Sequence, residues 1–140
     1  MVRISDLRLI EILRENARTP FIRIAKELGV SEAAIRKRVK TLEKRGVIKK
    51  YTVEVDPRRL GFEVNALIGL DAKPENYLQV IEKIKGMNEV TSVYVASGDH
   101  MILLECWFKN SNELVYFCKK LEEIRGIIRV CPAIILEKVK

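Results

Sequence analysis

The chain has 140 residues, of which 48% are hydrophobic and 32% charged, with a formal net charge of +7. That length fits one or two small domains with real cores. No apolar run approaches the ~20 residues a membrane span needs, and no signal or transit pattern opens the chain. The expectation is a soluble cytoplasmic protein without membrane contact.

The charge is uneven. Residues 1–60 hold 16 Lys/Arg against 8 Asp/Glu, whereas residues 61–140 hold 10 against 11. A basic first module that meets a polyanion, followed by a near-neutral one, is the organisation this implies. Cys106, Cys118 and Cys131 are odd in number and lack C-x-x-C spacing, which points away from a zinc site or a disulfide framework. Each sits in an apolar run, as small buried hydrophobes do.

In chain order, Ser5 is a cap for a first helix to about Glu15, with Leu9, Ile10 and Leu13 facing inward. Thr19 offers a second cap, with Pro20 as the first helical residue. Phe21, Ile24, Ala25 and Leu28 then recur at i, i+3, i+4 and i+7, one helical stripe. Gly29 suits the left-handed residue that ends a helix. Ser31 caps a third helix that Gly46 ends.

That third helix carries the function. Ile35, Val39 and Leu42 define its buried side, and at ~100° per residue Ala33, Arg36, Lys37, Lys40 and Lys44 fall opposite, with Arg38 on the flank. Four cations and no acid on one outer face repel one another unless an anion meets them. Ala33 and Ala34 permit close approach to base edges. Two helices joined by a tight turn, the second basic on its outer face, are the sequence form of a helix-turn-helix that lays its recognition helix in the major groove of double-stranded DNA. Candidate DNA-binding residues are Ser31, Ala33, Ala34, Arg36, Lys37, Arg38, Lys40, Lys44 and Lys49, with Lys50 a further phosphate contact.

Val47 to Val55 is rich in β-branched residues and predicts a strand leaving the helices. Asp56-Pro57 turns the chain, and Arg58 to Phe62 reads as a hinge. Beyond it, strand signals at 64–70, 90–96, 101–108 and 127–136 alternate with helical stripes opened by Pro74 and by Asn110. The order β-α-β-β-α-β is the ferredoxin-like arrangement, with strands ordered 4-1-3-2. Pro132 then lies on an edge strand, where a missing N–H costs least. Met101 to Leu104 and Cys106 to Phe108 are apolar at both parities, so one sheet face remains for a partner, and a homodimer is expected. The domains expected are a helix-turn-helix at 1–50, a strand linker at 51–62 and a ferredoxin-like domain at 63–140. The fold class is α+β, with three winged-helix-like N-terminal helices and an antiparallel sheet.

This combination resembles the Lrp/AsnC, or feast/famine, family of transcription regulators. The resemblance covers nearly the whole chain: the opening helix SDLRLIEILREN, the segment from Phe21 to Tyr51, the DPRRLGF joint, and the Gly98-Asp99 turn. It implies dimers that join into tetramers, octamers or larger rings. It also implies a small-molecule effector, an amino acid, bound between dimers near Ser97, Gly98, Asp99 and His100. The chain departs from the family pattern in two places. Met101 stands where a second acid is common, and Val130 and Pro132 stand where threonine is common. His100, the only histidine, reads as a solvent-exposed turn residue, with lining the pocket the lesser alternative.

The function expected is sequence-specific DNA-binding transcription regulation. The rival is a sensor or co-regulator acting mainly through mixed oligomers, with weak DNA binding. An enzyme is not expected, because no phosphate loop, nucleophile–histidine pattern or carboxylate pair is present. No cofactor or metal is expected either.

Overall fold

The computed structural model describes residues 4–140 and divides into two compact units, one ending at Glu54 and the other beginning at Val55. The first unit holds α1 (Asp6–Glu15), α2 (Phe21–Leu28) and α3 (Glu32–Lys44). The Ser5 hydroxyl accepts from the Arg8 N–H at 3.3 Å, and Asp6 in the first turn complements the helix dipole. Leu9, Ile12 and Leu13 of α1 pack with Ile24 and Ala25 of α2 and with Ile35, Val39 and Leu42 of α3. Ile12 takes the inner place expected of Ile10, which lies at the edge of this core.

The start of α2 differs from expectation by one residue. Pro20 is the cap, extended at φ −61° and ψ 140°, and Phe21 is the first helical residue. Thr19 does not cap, because its hydroxyl donates to the Asn16 carbonyl at 2.6 Å. The Pro20 carbonyl instead accepts from the N–H groups of Arg23 and Ile24.

The strand expected over Val47 to Val55 does not form. The backbone there has no ladder partner among the described residues, and Tyr51 and Val53 are exposed. A strand exists only where a neighbour takes its N–H and C=O groups. The hinge residues belong with the second unit: Pro57–Leu60 form a 3-10 turn, Arg58 donates to the Leu136 carbonyl at 3.0 Å, and Phe62 meets Trp107 at 5.7 Å between ring centroids.

The second unit runs β1 (Val64–Ala72), α4 (Tyr77–Lys85), β2 (Val90–Val95), β3 (Ile102–Phe108), α5 (Ser111–Glu122) and β4 (Ile127–Ile134). The antiparallel sheet is ordered β2-β3-β1-β4, the ferredoxin-like order, with Pro132 on edge strand β4 opposite Ile68. Pro74 opens a 3-10 turn to Asn76 that leads into α4. The Asn110 side chain caps α5 by accepting from the Glu113 N–H at 2.9 Å. Ile68, Leu70, Ile102 and Leu104 pack under Val80 and Ile84 of α4 and under Phe117 and Leu121 of α5.

Along β3 burial alternates. Ile102, Leu104, Cys106 and Phe108 face the helices, while Leu103, Glu105 and Trp107 lie half-buried on the other side. That outer face is less uniformly apolar than the sequence suggests, since Glu105 interrupts it opposite Leu67. The three cysteines are free. No described helix is long and apolar enough to cross a membrane.

Candidate nucleic-acid interface and effector site

The turn between α2 and α3 is built from three residues. Gly29 ends α2 at φ 69°, a left-handed conformation that a β-carbon resists, and its N–H returns to the Ala25 carbonyl. The Val30 N–H takes the same carbonyl at 3.0 Å. Ser31 is extended, and its hydroxyl accepts from the Ala34 N–H at 3.1 Å. These bonds fix the angle at which α3 leaves the core. Ile35, Val39 and Leu42 face inward, so Ala33, Arg36, Lys37, Lys40 and Lys44 are left on the exposed side.

The cations are not equivalent. Lys37, Lys40 and Lys44 are exposed and make no ion pair among the described residues; Lys49 and Lys50, beyond the helix, are exposed too. Arg36 is different: its guanidinium pairs with Glu32 one turn earlier at 2.7 Å and lies 5.7 Å from the Phe21 ring centroid. The expectation of an acid-free outer face therefore needs correction, because i,i+4 spacing brings Glu32 within reach. Arg38 differs more. Its Nε and one terminal nitrogen both bond the Asp6 carboxylate, a bidentate brace between α3 and the start of α1. That bonding also raises the Arg38 pKa above its ordinary value.

In the second unit, Ser97, Gly98 and Asp99 are exposed in the turn between β2 and β3, which the Ala96 N–H closes on the Met101 carbonyl at 2.9 Å. His100 is not the exposed residue the sequence suggests; its side chain is only 17% exposed. The ring lies against Gly69 of β1, so closely that a β-carbon there would collide with it. Nδ1 stands 3.1 Å from an Asp71 carboxylate oxygen, and Nε2 stands 3.3 Å from an Asp99 oxygen.

Asp71 and Arg129 complete the cluster, and neither stands out in the sequence. Central strand β1 pairs with β3 on one side and β4 on the other. Its register sets Asp71 directly opposite Arg129, one residue past Leu70, which faces Ile102. Asp71 accepts from the Met101 N–H at 3.2 Å and from Arg129 Nε at 2.9 Å. A terminal nitrogen of Arg129 reaches the Asp99 carbonyl at 3.0 Å and its carboxylate at 3.1 Å. Burial opposes ionisation of Asp71, but the bonds from His100 and the Met101 N–H, together with Arg129, outweigh it and hold the carboxyl below its usual 3.8. Bonding to Asp99 raises the Arg129 pKa. A carboxylate thus sits beside residue 101 although that residue is Met: it comes from β1. The sequence holds one local signal for it, an acid directly after the apolar run 64–70. No group of three or more metal-ligating side chains gathers among the described residues.

Comparison with known proteins identifies the two domains. Residues 3–49 match the family described as winged helix-turn-helix DNA-binding, and residues 65–140 match the Lrp/AsnC ligand binding domain. The HTH-type transcriptional regulator LrpA of Pyrococcus horikoshii is 45% identical over 141 residues, covering 100% of both chains. The structure of Escherichia coli AsnC superposes with a TM-score of 0.81 at 28% identity, covering 99% of this chain and 95% of that one. A feast or famine regulatory protein of M. tuberculosis, complexed with L-methionine, gives 0.81 at 24% identity over 96% and 92%. Relatives of this kind are transcriptional regulators rather than members of a catalytic family. The chain belongs to the Lrp/AsnC family: it is a transcriptional regulator with a DNA-binding helix-turn-helix followed by a ligand-binding domain.

Proposed function

We propose that the chain regulates transcription as a symmetric dimer, with residues 1–50 reading DNA and residues 63–140 joining protomers and sensing an amino acid. Two copies of α3 then enter successive major grooves about 34 Å apart. Lys37, Lys40 and Arg36 reach base edges or flanking phosphates. Ser31, Ala33 and Ala34 let the helix start approach closely. Lys44, Lys49 and Lys50 hold backbone, and Arg38 keeps the helix at its angle through Asp6. The outer sheet face of Leu67, Leu103 and Trp107 is the surface that joins two protomers, and further contacts make tetramers or octamers. The effector binds at Ser97, Gly98, Asp99 and His100. The M. tuberculosis relative holding L-methionine makes amino acids the first probes to try.

The observation that carries this reading is the row of unpaired lysines on α3, opposite a fully buried stripe. The test is binding to DNA fragments selected from a random pool, followed over a range of salt. Each lost phosphate contact lowers the log–log salt slope by about 0.9. Lys37→Ala with Lys40→Ala should weaken binding and flatten that slope. An unchanged slope removes the helix from the interface.

A further inference from the structure

The cluster around Asp71 has two tiers. In the inner tier, Asp71 (side chain 18% exposed) bonds the Met101 N–H, His100 Nδ1 and Arg129 Nε, and this fixes where the turn and the guanidinium sit. In the outer tier, Arg129 (48% exposed) turns a terminal nitrogen to the Asp99 carboxylate (82% exposed). The inner bonds aim the guanidinium. The outer pair is wet, and a wet ion pair adds little stability. One guanidinium and one carboxylate lie side by side at the surface, the charge complement of a molecule that carries an ammonium next to a carboxylate.

We infer that Arg129 is the anchor for the effector's carboxylate, and that its outer bond to Asp99 is a stand-in that an α-amino acid replaces. This rests on the reading that the second domain takes amino acids. On binding, the ligand carboxylate accepts from the terminal nitrogen of Arg129 in place of Asp99, and the ligand ammonium donates to the freed Asp99 carboxylate. Arg129 Nε stays on Asp71, so the guanidinium needs no reorientation. One exposed ion pair is exchanged for two charge-assisted contacts, and guanidinium–carboxylate bonding is the strongest of that class. The class selected is therefore a free α-amino acid. An amine without the carboxylate, or an amino acid whose carboxylate is blocked as the amide, leaves Arg129 with nothing better than Asp99. The exchange removes the side-chain tie between β4 and the turn and leaves the Arg129 bond to the Asp99 carbonyl as the remaining link.

The test is calorimetric titration of the full chain with the common L-amino acids and with their α-carboxamides. The wild type should bind the acid form about tenfold or more tightly than the matching amide. Arg129→Gln should bring that ratio close to one, and Arg129→Lys should restore part of it, because a point charge remains but the fork is lost. A generally damaged fold would weaken the amide as well, so a loss confined to the acid form, with amide binding kept, identifies the anchor. If the wild type binds an acid form and Arg129→Gln keeps the full preference over the amide, the anchor is wrong while amino-acid sensing stands. If the wild type binds no amino acid, both fall.

Discussion

His100 and Gly69 occupy each other's space. The imidazole fills the volume that a side chain at position 69 would need, and Gly69 thereby seats a turn residue on the central strand. Gly69→Ala should push the ring out and cost about 1–3 kcal/mol, the usual range for overpacking. The same substitution made in His100→Ala should cost much less, because the clash partner is gone. Chemical denaturation of the four proteins measures the coupling. Additive losses would mean that the ring does not rest there.

Arg38 and Lys40 are two residues apart on α3 yet should behave differently when replaced. Arg38 braces α3 to Asp6, whereas Lys40 is exposed and unpaired among the described residues. Arg38→Ala should lower the melting temperature, and Asp6→Ala should do the same. Lys40→Ala should leave melting unchanged and reduce the salt slope of DNA binding by about one. Thermal melts beside binding isotherms separate the two roles. If Arg38→Ala changes DNA binding without changing the melt, Arg38 reads DNA instead.

Much of the fold was legible because it is written in local periodicity. The stripe at Phe21, Ile24, Ala25 and Leu28 and the caps at Ser31 and Asn110 each act within one or two turns of their own position. Pro132 placed an edge strand because one missing N–H excludes the centre of a sheet. The cluster at the turn was only half legible. Asp71 and Arg129 are 58 residues apart and meet through strand register, which alternation does not encode. Nothing local in the sequence marks Gly69 as the seat of a ring, since the ring it accommodates comes from another strand's turn. The segment over Val47 to Val55 has strand composition but no neighbour to bond, so composition alone overstated it.

The Asp71 carboxyl gives the second unit a defined acid response. Its pKa in the folded chain is lowered, so the stabilisation it supplies is complete above about 3.8. That stabilisation is lost as pH falls below 3.8 through the lowered folded value. Asp71→Asn cannot be protonated in this range and lacks that loss. Urea midpoints of both proteins, taken between about pH 5 and pH 2, should converge as the acid end is approached. Parallel curves would place the ionised carboxylate outside the network.

Cys106 should be inert in the native protein. Burial, reinforced by Cys118 and nearby glutamates, pushes its thiol up to about 12, so almost no thiolate exists near neutral pH. The side chain also lies fully inside the core under the helices. A maleimide reagent at neutral pH should therefore leave Cys106 unlabelled until denaturant is added, when mass spectrometry of the digested chain finds it modified. Labelling of Cys106 in the native state would mean that β3 opens to solvent.

The outer sheet face decides whether one protomer suffices. Leu103 and Trp107 of β3 stand on it beside Leu67 of β1, which is 36% exposed, and the Phe62 ring rests on Trp107. Apolar surface of this kind is unfavourable in water, and covering it with a second copy removes about 25 cal/mol of that cost per Å². Glu105 lies within the same face, so an added acid at position 103 meets both desolvation and like-charge repulsion. Leu103→Glu should weaken self-association at least tenfold, a shift of roughly 1.4 kcal/mol. Trp107 is the only tryptophan, so its emission reports directly on this face. On dilution, the emission should shift to the red as the sedimentation coefficient falls, and the Leu103→Glu protein should show both changes at higher concentration. The same variant should bind a two-half-site DNA fragment with the affinity of a single half-site, because the lone recognition helix loses its partner a helical turn away. A Leu103→Glu protein that sediments and binds DNA as the wild type does would move the protomer contact off this face.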